Sequence, residues 1–197
     1  MEILPKMTML WLTAVLLAGV SHTADACWTP VTTPAALIFH TAQPGGTEIR
    51  GEFSHFDGLI CLDPDETGSA LIRLQVQTGS VDTKLPELDQ ALRGPLFFDS
   101  AQWPQATFES EAIQHLNGDR YEVKGKFTLR NVSRTIAVQF TFSPSTDRRT
   151  AKLEGVTAIN RLDYGVGQGQ WGDTQWADNK VTLEFSVDLD KADSAHE

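Results

Sequence analysis

Five runs of this chain alternate apolar and polar side chains with a period of two, and that rhythm constrains the fold more than any other feature. In the clearest, Tyr121 to Arg130, Tyr121, Val123, Gly125, Phe127 and Leu129 alternate with Glu122, Lys124, Lys126, Thr128 and Arg130. Glu48–His55 sets Ile49, Gly51 and Phe53 on one face, and Ala70–Val76 does the same with Ile72, Leu74 and Val76. Ile136–Phe142 aligns Ile136, Val138, Phe140 and Phe142; Val181–Leu189 aligns Val181, Leu183, Phe185, Val187 and Leu189. Successive side chains of a strand point to opposite faces, so each run has one apolar face and one wet face. That is the signature of antiparallel sheet, not of a parallel sheet buried on both sides. Pro44-Gly45-Gly46, Asn117-Gly118-Asp119 and Ser143-Pro144-Ser145 supply turns between runs. Strands near 36–43, 48–60, 69–78, 106–115, 120–130, 135–143, 151–160 and 180–190 predict an all-β domain of about eight strands. At that number a closed antiparallel barrel either fills its interior with side chains or holds one small ligand.

The rhythm breaks between Val81 and Pro104. Leu85–Leu92 has Leu85, Leu88 and Leu92 at helical spacing, which predicts a short helix between strands 3 and 4. Residues 1–26 lie before the strands and have the three parts of a secretory signal peptide: a start carrying Lys6, the apolar run Met7–Val20, and the close Ala24-Asp25-Ala26. The run is short for a membrane anchor, which needs about 20 apolar residues. A lipoprotein is a further reading, because Cys27 follows directly. Against it, Ala24 stands where such signals carry an aliphatic residue, and Asp25 is out of place beside the site. Export to the periplasm as residues 27–197, a single domain, is the expectation.

Both cysteines, Cys27 and Cys61, fall in that domain. An even cysteine count in an exported chain favours a disulfide over two separate thiols. A hairpin about Gly45-Gly46 brings Cys27 and Cys61 nearly opposite each other if both strands extend that far.

The chain carries 16 Lys+Arg against 26 Asp+Glu, a net charge of −10, which excludes a phosphate-binding basic stripe and hence nucleic acid as a partner. It has no H-E-x-x-H, C-x-x-C, G-x-S-x-G or P-loop, so no metal centre is predicted. Gly165-Val166-Gly167-Gln168-Gly169 reads as a turn, since no helix follows to make it a phosphate loop. Asp82, Asp163, Arg161 and His55 are the residues an enzyme acting on a small substrate would use, but nothing in their spacing shows that they converge. Arg161 and Asp163, two apart in Asn-Arg-Leu-Asp, share a face if that segment is a strand. There they form either a barrel-closing ion pair or a polar grip at the mouth. Aromatics are abundant and point one way: Phe53, Phe108, Tyr121, Phe127, Phe140, Phe142 and Phe185 fall on apolar faces, with Phe97, Phe98 and Trp103 beside the break. Such a set serves a packed core or a pocket for an apolar molecule equally well.

Four stretches together resemble the YceI-like family of exported bacterial proteins. They are Ser80-Val81-Asp82-Thr83, Leu92–Ser110 (LRGPLFFDSAQWPQATFES), Gly125–Ile136 (GKFTLRNVSRTI) and Asn160–Trp171 (NRLDYGVGQGQW). The resemblance implies an extended, lipocalin-like barrel with a long apolar channel, the helix and Phe97-Phe98-Asp99 near its mouth. It implies a carrier for a polyisoprenoid lipid, such as a quinone or polyprenol tail, and no enzyme. A b-type cytochrome membrane protein is the partner it suggests, and it admits a homodimer. Beyond the bound isoprenoid it implies no cofactor. The expected channel lining is Phe53, Leu74, Val76, Phe97, Phe98, Phe108, Val123, Phe127, Leu129, Phe140, Phe142 and Phe185, with Asp82, Arg161 and Asp163 as polar residues of the mouth. Two departures stand out. Leu88-Asp89 replaces the family's Arg-Asp, and Arg130-Asn131-Val132-Ser133 replaces its His-Gly-Val-Thr turn. Neither is expected to touch the lining, and Asn tolerates the positive φ such a turn needs. The competing readings are a small-substrate enzyme at the barrel mouth and a ligand-free, stress-linked interaction module for an inner-membrane protein.

Overall fold

The structure, a computed structural model, describes residues 27–31, 36–42, 46–64 and 66–192. The signal peptide expected over residues 1–26 lies outside them, as do Pro44 and Gly45 of the first turn. The described chain forms strands β1 (Cys27–Pro30), β2 (Ala36–Ala42), β3 (Glu48–Phe53), β4 (Phe56–Asp63), β5 (Glu66–Gln77) and β6 (Val81–Asp82), then helix α1 (Pro86–Arg93). Strands β7 (Gln105–Asn117), β8 (Arg120–Leu129), β9 (Val132–Pro144), β10 (Thr150–Asn160) and β11 (Lys180–Lys191) follow.

These segments make eight antiparallel staves, because three staves are broken in the middle. β1 and β2 pair with β4 and β3 respectively, and β3 pairs onward with β6 while β4 pairs with β5. The order then runs β5–β7–β8–β9–β10–β11, and β11 closes the ring by pairing with β2 through Thr182–Ser186 and with β1 through Leu189–Lys191. The result is an up-and-down closed barrel, the architecture that leaves no open sheet edge. The expected eight strands and the helix between the third and fourth are all present. The first strand starts earlier than expected, at Cys27 instead of near residue 36.

Inward positions are those of the alternating apolar faces, and they form two clusters stacked along the barrel. One, at the end of the 117–119 and 145–149 turns, packs Trp28, Ile60, Leu62, Tyr121, Phe140, Phe142 and Leu189. Trp28 meets Phe142 edge-on at 5.7 Å, and Tyr121 stacks on Phe140 at 5.5 Å. Phe142 and Leu62 are each 1% exposed, so this end is plugged. The other cluster, around Phe39, Phe53, Val81, Leu92, Phe98 and Tyr164, lies beneath α1.

Three strand glycines let rings lie flat against the wall. Phe39, Phe108 and Phe185 cover Gly51, Gly125 and Gly155, where a Cβ would come within 2.3, 2.5 and 2.4 Å of a ring carbon. At Gly155 a Cβ would also sit 2.6 Å from the Gln139 carbonyl oxygen, which is fixed in the sheet. Gly155→Ala is therefore expected to destabilise the barrel by about 1–3 kcal/mol through overpacking, read as a Tm lowered by several degrees in a thermal melt. An unchanged Tm would show that Phe185 moves aside without cost.

The disulfide joins directly opposed residues of β1 and β4, Cys27 and Cys61. A sulfur in that bond cannot also carry the thioether of a lipid anchor.

Candidate functional site: a capped apolar cavity

Between the two clusters the barrel is hollow. The cavity measures about 270 Å³ and runs from Leu189 and Leu153 near the plug to Leu88, Phe97 and Trp171 at the opposite end. Its wall holds nine of the ten phenylalanines, and its polar members are Thr41, Thr78, Thr107, Thr157 and Arg161.

The mouth is assembled from segments that follow no period-two rhythm. α1 begins at Pro86, whose fixed φ suits the first helical position, and it turns Leu88, Ala91 and Leu92 toward the cavity. Asp89, 7% exposed, anchors the helix by accepting the Thr83 amide at 2.7 Å and the Thr83 hydroxyl at 2.6 Å. The Ser-Val-Asp-Thr stretch and the acidic half of Leu88-Asp89 are thus two sides of one joint. Arg93 reaches back to the carbonyls of Gly79 and Val81 at 2.8 and 2.6 Å.

Beyond α1 the chain carries Phe97 and Phe98 into the lining, with Phe98 on Phe53 at 5.6 Å and Phe97 on Trp171 at 5.7 Å. Arg130, in the two-residue β8–β9 turn, donates to the carbonyls of Pro95 and Phe97 and lies 4.6 Å from the Trp103 ring centroid. Both central residues of that turn have positive φ, 50° at Arg130 and 60° at Asn131, so the departure from glycine is accommodated as expected. From the other side, the Leu96 carbonyl accepts the amides of Gly167 and Gln168, each at 2.8 Å. The glycine-rich segment is a turn, and its Gly167 (φ 88°) leaves space for Arg161, whose Nη1 would lie 2.0 Å from a Cβ there.

Arg161 does not sit on a strand. β10 ends at Asn160, and Arg161–Tyr164 is a 3₁₀ turn that sends the arginine inward and leaves Asp163 exposed. The expected Arg161–Asp163 ion pair is replaced by three backbone acceptors. Nε donates to the Asp178 carbonyl at 2.9 Å, Nη1 to that of Val166 at 2.9 Å and Nη2 to that of Ala177 at 2.8 Å. Burial pulls this guanidinium below its ordinary pKa, opposed by the charge of Asp178. Tyr164, packed edge-on against Phe127 at 5.2 Å, has its phenol pushed up by burial.

Of the residues expected in the lining, Phe53, Leu74, Val76, Phe97, Phe98, Phe108, Val123, Phe127, Leu129, Phe140 and Phe185 border the cavity. Phe142 does not; it belongs to the plug. The lining also includes Leu88, so the departure at that position does touch it. Of the three polar residues assigned to the mouth, Arg161 alone borders the cavity. Asp82 faces an outer groove, bonded to Lys84 at 2.8 Å, and that lysine also reaches Glu52 at 2.8 Å. These hydrogen bonds hold the Asp82 carboxyl below the usual carboxylate range. The residues an enzyme would need are therefore dispersed: Arg161 inside, Asp163 outside, and Asp82 and His55 along the outer groove.

Comparison with known proteins agrees with this architecture. Residues 28–189 match the family described as YceI-like domain. A UPF0312 protein of Yersinia pestis is 35% identical over 105 residues, which is 53% of this chain and 54% of that protein, so the match spans about half of that relative's length. A UPF0312 protein of Pseudomonas syringae pv. tomato is 28% identical over 177 residues, covering 87% of this chain and 91% of that one. Among solved structures, Burkholderia cenocepacia BcnA superposes with a TM-score of 0.77 at 26% identity, over 81% of this chain and 98% of that one. A polyisoprenoid binding domain from Saccharophagus degradans shares the fold, with a TM-score of 0.67 at 15% identity over 85% and 99% of the two chains. The eight-stave barrel, its capped apolar interior and the match along nearly the whole described chain lead to one assignment: the protein belongs to the YceI-like family.

Proposed function

We propose that the barrel binds the tail of a polyisoprenoid lipid, a quinone or polyprenol, and carries it through the periplasm. The observation that carries the reading is the cavity: a closed barrel with a hollow interior whose wall is apolar except for four threonines and Arg161. A core built only for stability would be filled, since protein interiors pack as densely as organic crystals. The shared fold with a polyisoprenoid binding domain supports the same conclusion.

The energetics suffice. Each buried methylene contributes about 0.8 kcal/mol, so a dozen tail carbons supply on the order of 10 kcal/mol before ordering costs are subtracted. The ligand contacts come from Phe53, Leu74, Val76, Phe97, Phe98, Phe108, Val123, Phe127, Leu129, Phe140 and Phe185. The disulfide fits an oxidising compartment, and the acidic charge of −10 discourages lingering on anionic membranes, which suits a shuttle. A membrane protein that handles quinones, such as a b-type cytochrome, is the partner this role implies.

The test is native mass spectrometry of protein released from its own periplasm without detergent, followed by lipid extraction. The expected result is one isoprenoid per barrel. A clean apo mass together with no uptake of added quinone or polyprenol overturns the reading.

A further inference from the structure

The cavity has one feature that an apolar tail leaves unused. Arg161 is 5% exposed and borders the cavity, the one charged residue among those that do. Its three hydrogen bonds all go to neutral backbone carbonyls, those of Asp178, Val166 and Ala177. A guanidinium has five N–H donors, so two remain after these three. Asp178 acts on its charge, yet what Arg161 bonds at Asp178 is the backbone carbonyl. A buried charge without a contacting counter-ion is costly, and it favours a partner that brings the opposite sign.

A second polar atom lies at the same end. The Thr41 hydroxyl oxygen is buried without a hydrogen-bond partner, and Thr41 also borders the cavity. Its neighbour Ala42 accepts the Asp178 amide at 3.0 Å, and the Asp178 carbonyl in turn accepts Arg161 Nε at 2.9 Å, which places Thr41 and Arg161 at one end of the barrel.

We infer that this end of the cavity receives a single carboxylate, so that the ligand is a long-chain acid, its head bonded to Arg161 and Thr41 and its tail directed at the plug. The inference rests on the tail-binding reading and replaces the quinone or polyprenol head given there with an acid. One guanidinium balances one negative charge. A diphosphate head brings more charge than this lining neutralises, whereas an alcohol or quinone head leaves the arginine uncompensated. The two free guanidinium N–H groups and the Thr41 O–H are all donors, which suits an acceptor-only carboxylate.

Farnesoic acid, methyl farnesoate and farnesol share one isoprenoid tail and separate the two claims. Their binding at neutral pH is compared by titration calorimetry on the delipidated protein. The acid is expected to bind roughly tenfold more tightly than the ester or the alcohol, a charge-assisted advantage of about 1.4 kcal/mol. Arg161→Gln should abolish that preference. Because Arg161 also ties down the mouth, Thr41→Val, which keeps the side-chain shape, carries the test if the first variant does not fold. It should weaken the acid several-fold more than it weakens farnesol. Equal affinities for the three, or a preference for alcohol or ester, overturn the carboxylate head and leave the tail reading intact. If none of the three binds, both fall.

Discussion

A Val76→Trp protein is expected to lose long-chain binding by roughly a hundredfold while folding almost as well as the wild type. Val76 borders the cavity and packs against both core clusters, as do Leu37 and Ile136, which places these three at the waist of the barrel. An indole there would occupy open space, so the cost in strain is small and a change in Tm of only a few degrees is expected. The ligand, however, would lose the part of the cavity below the block. Excluding about six methylenes removes roughly 5 kcal/mol of gross transfer energy. Part of it is offset because the excluded carbons no longer need to be ordered, which leaves the hundredfold figure. Geraniol, short enough to stay above the waist, should keep most of its affinity. A titration series with isoprenoid alcohols of increasing length reads the effect directly. If the longest alcohol binds the variant as well as the wild type, its tail does not run through the barrel and the carrier reading loses its basis.

The strand pattern was legible because a barrel wall imposes a strict inside–outside alternation, and the sequence of β8 or β11 obeys it without interruption. The disulfide was legible for a related reason: hairpin register is arithmetic, and opposed residues keep a nearly constant sum along the first two staves, from Leu37 with Phe53 to Cys27 with Cys61. Alternation does not reveal an element too short to repeat. β1 is four residues, Cys27–Pro30, too short to alternate visibly and ending in a proline.

Alternation also reports which face a side chain takes but not how far along the barrel it lies. Phe140 and Phe142 share a face in the sequence; Phe140 borders the cavity and Phe142 is buried in the plug. The sequence places Arg161 at the mouth, as an ion pair with Asp163 or as a polar grip, and the structure removes the ion pair. A strand would have aimed Arg161 and Asp163 the same way, whereas the 3₁₀ turn parts them and hands the guanidinium to three carbonyls. The change at Leu88 is not expected from the sequence to touch the lining, although a leucine beside Leu92 on one helix face is equally a cavity wall, as the structure places it. The helical spacing of Leu88 and Leu92, both on the face turned to the mouth, is the sequence signal for that wall.

Removing the disulfide, by Cys27→Ala with Cys61→Ala, is expected to destabilise the protein by about 3–4 kcal/mol, the loop-closure estimate for a bridge spanning 34 residues. For a chain of this size that corresponds to a fall in Tm of roughly 8–15 °C, read in paired melts of the double variant and the wild type. The location argues that the loss will be felt as opening of one seam. Among the described residues β1 alone lies between β4 and β11 at the plug end, and it holds them with a short register: Cys27 and Trp28 against β4, Trp28 to Pro30 against β11. Trp28 is 3% exposed and packs on Phe142, so release of β1 withdraws an aromatic from the plug as well as the hydrogen bonds of the seam. Amide exchange should therefore rise first along β1 and the facing residues of β4 and β11, before it rises at α1 or the mouth turns. A wild type whose melt is unchanged by full reduction would show that the buried contacts of Trp28 hold the seam without the bridge. The disulfide would then mark the compartment in which the barrel folds, without contributing to its stability.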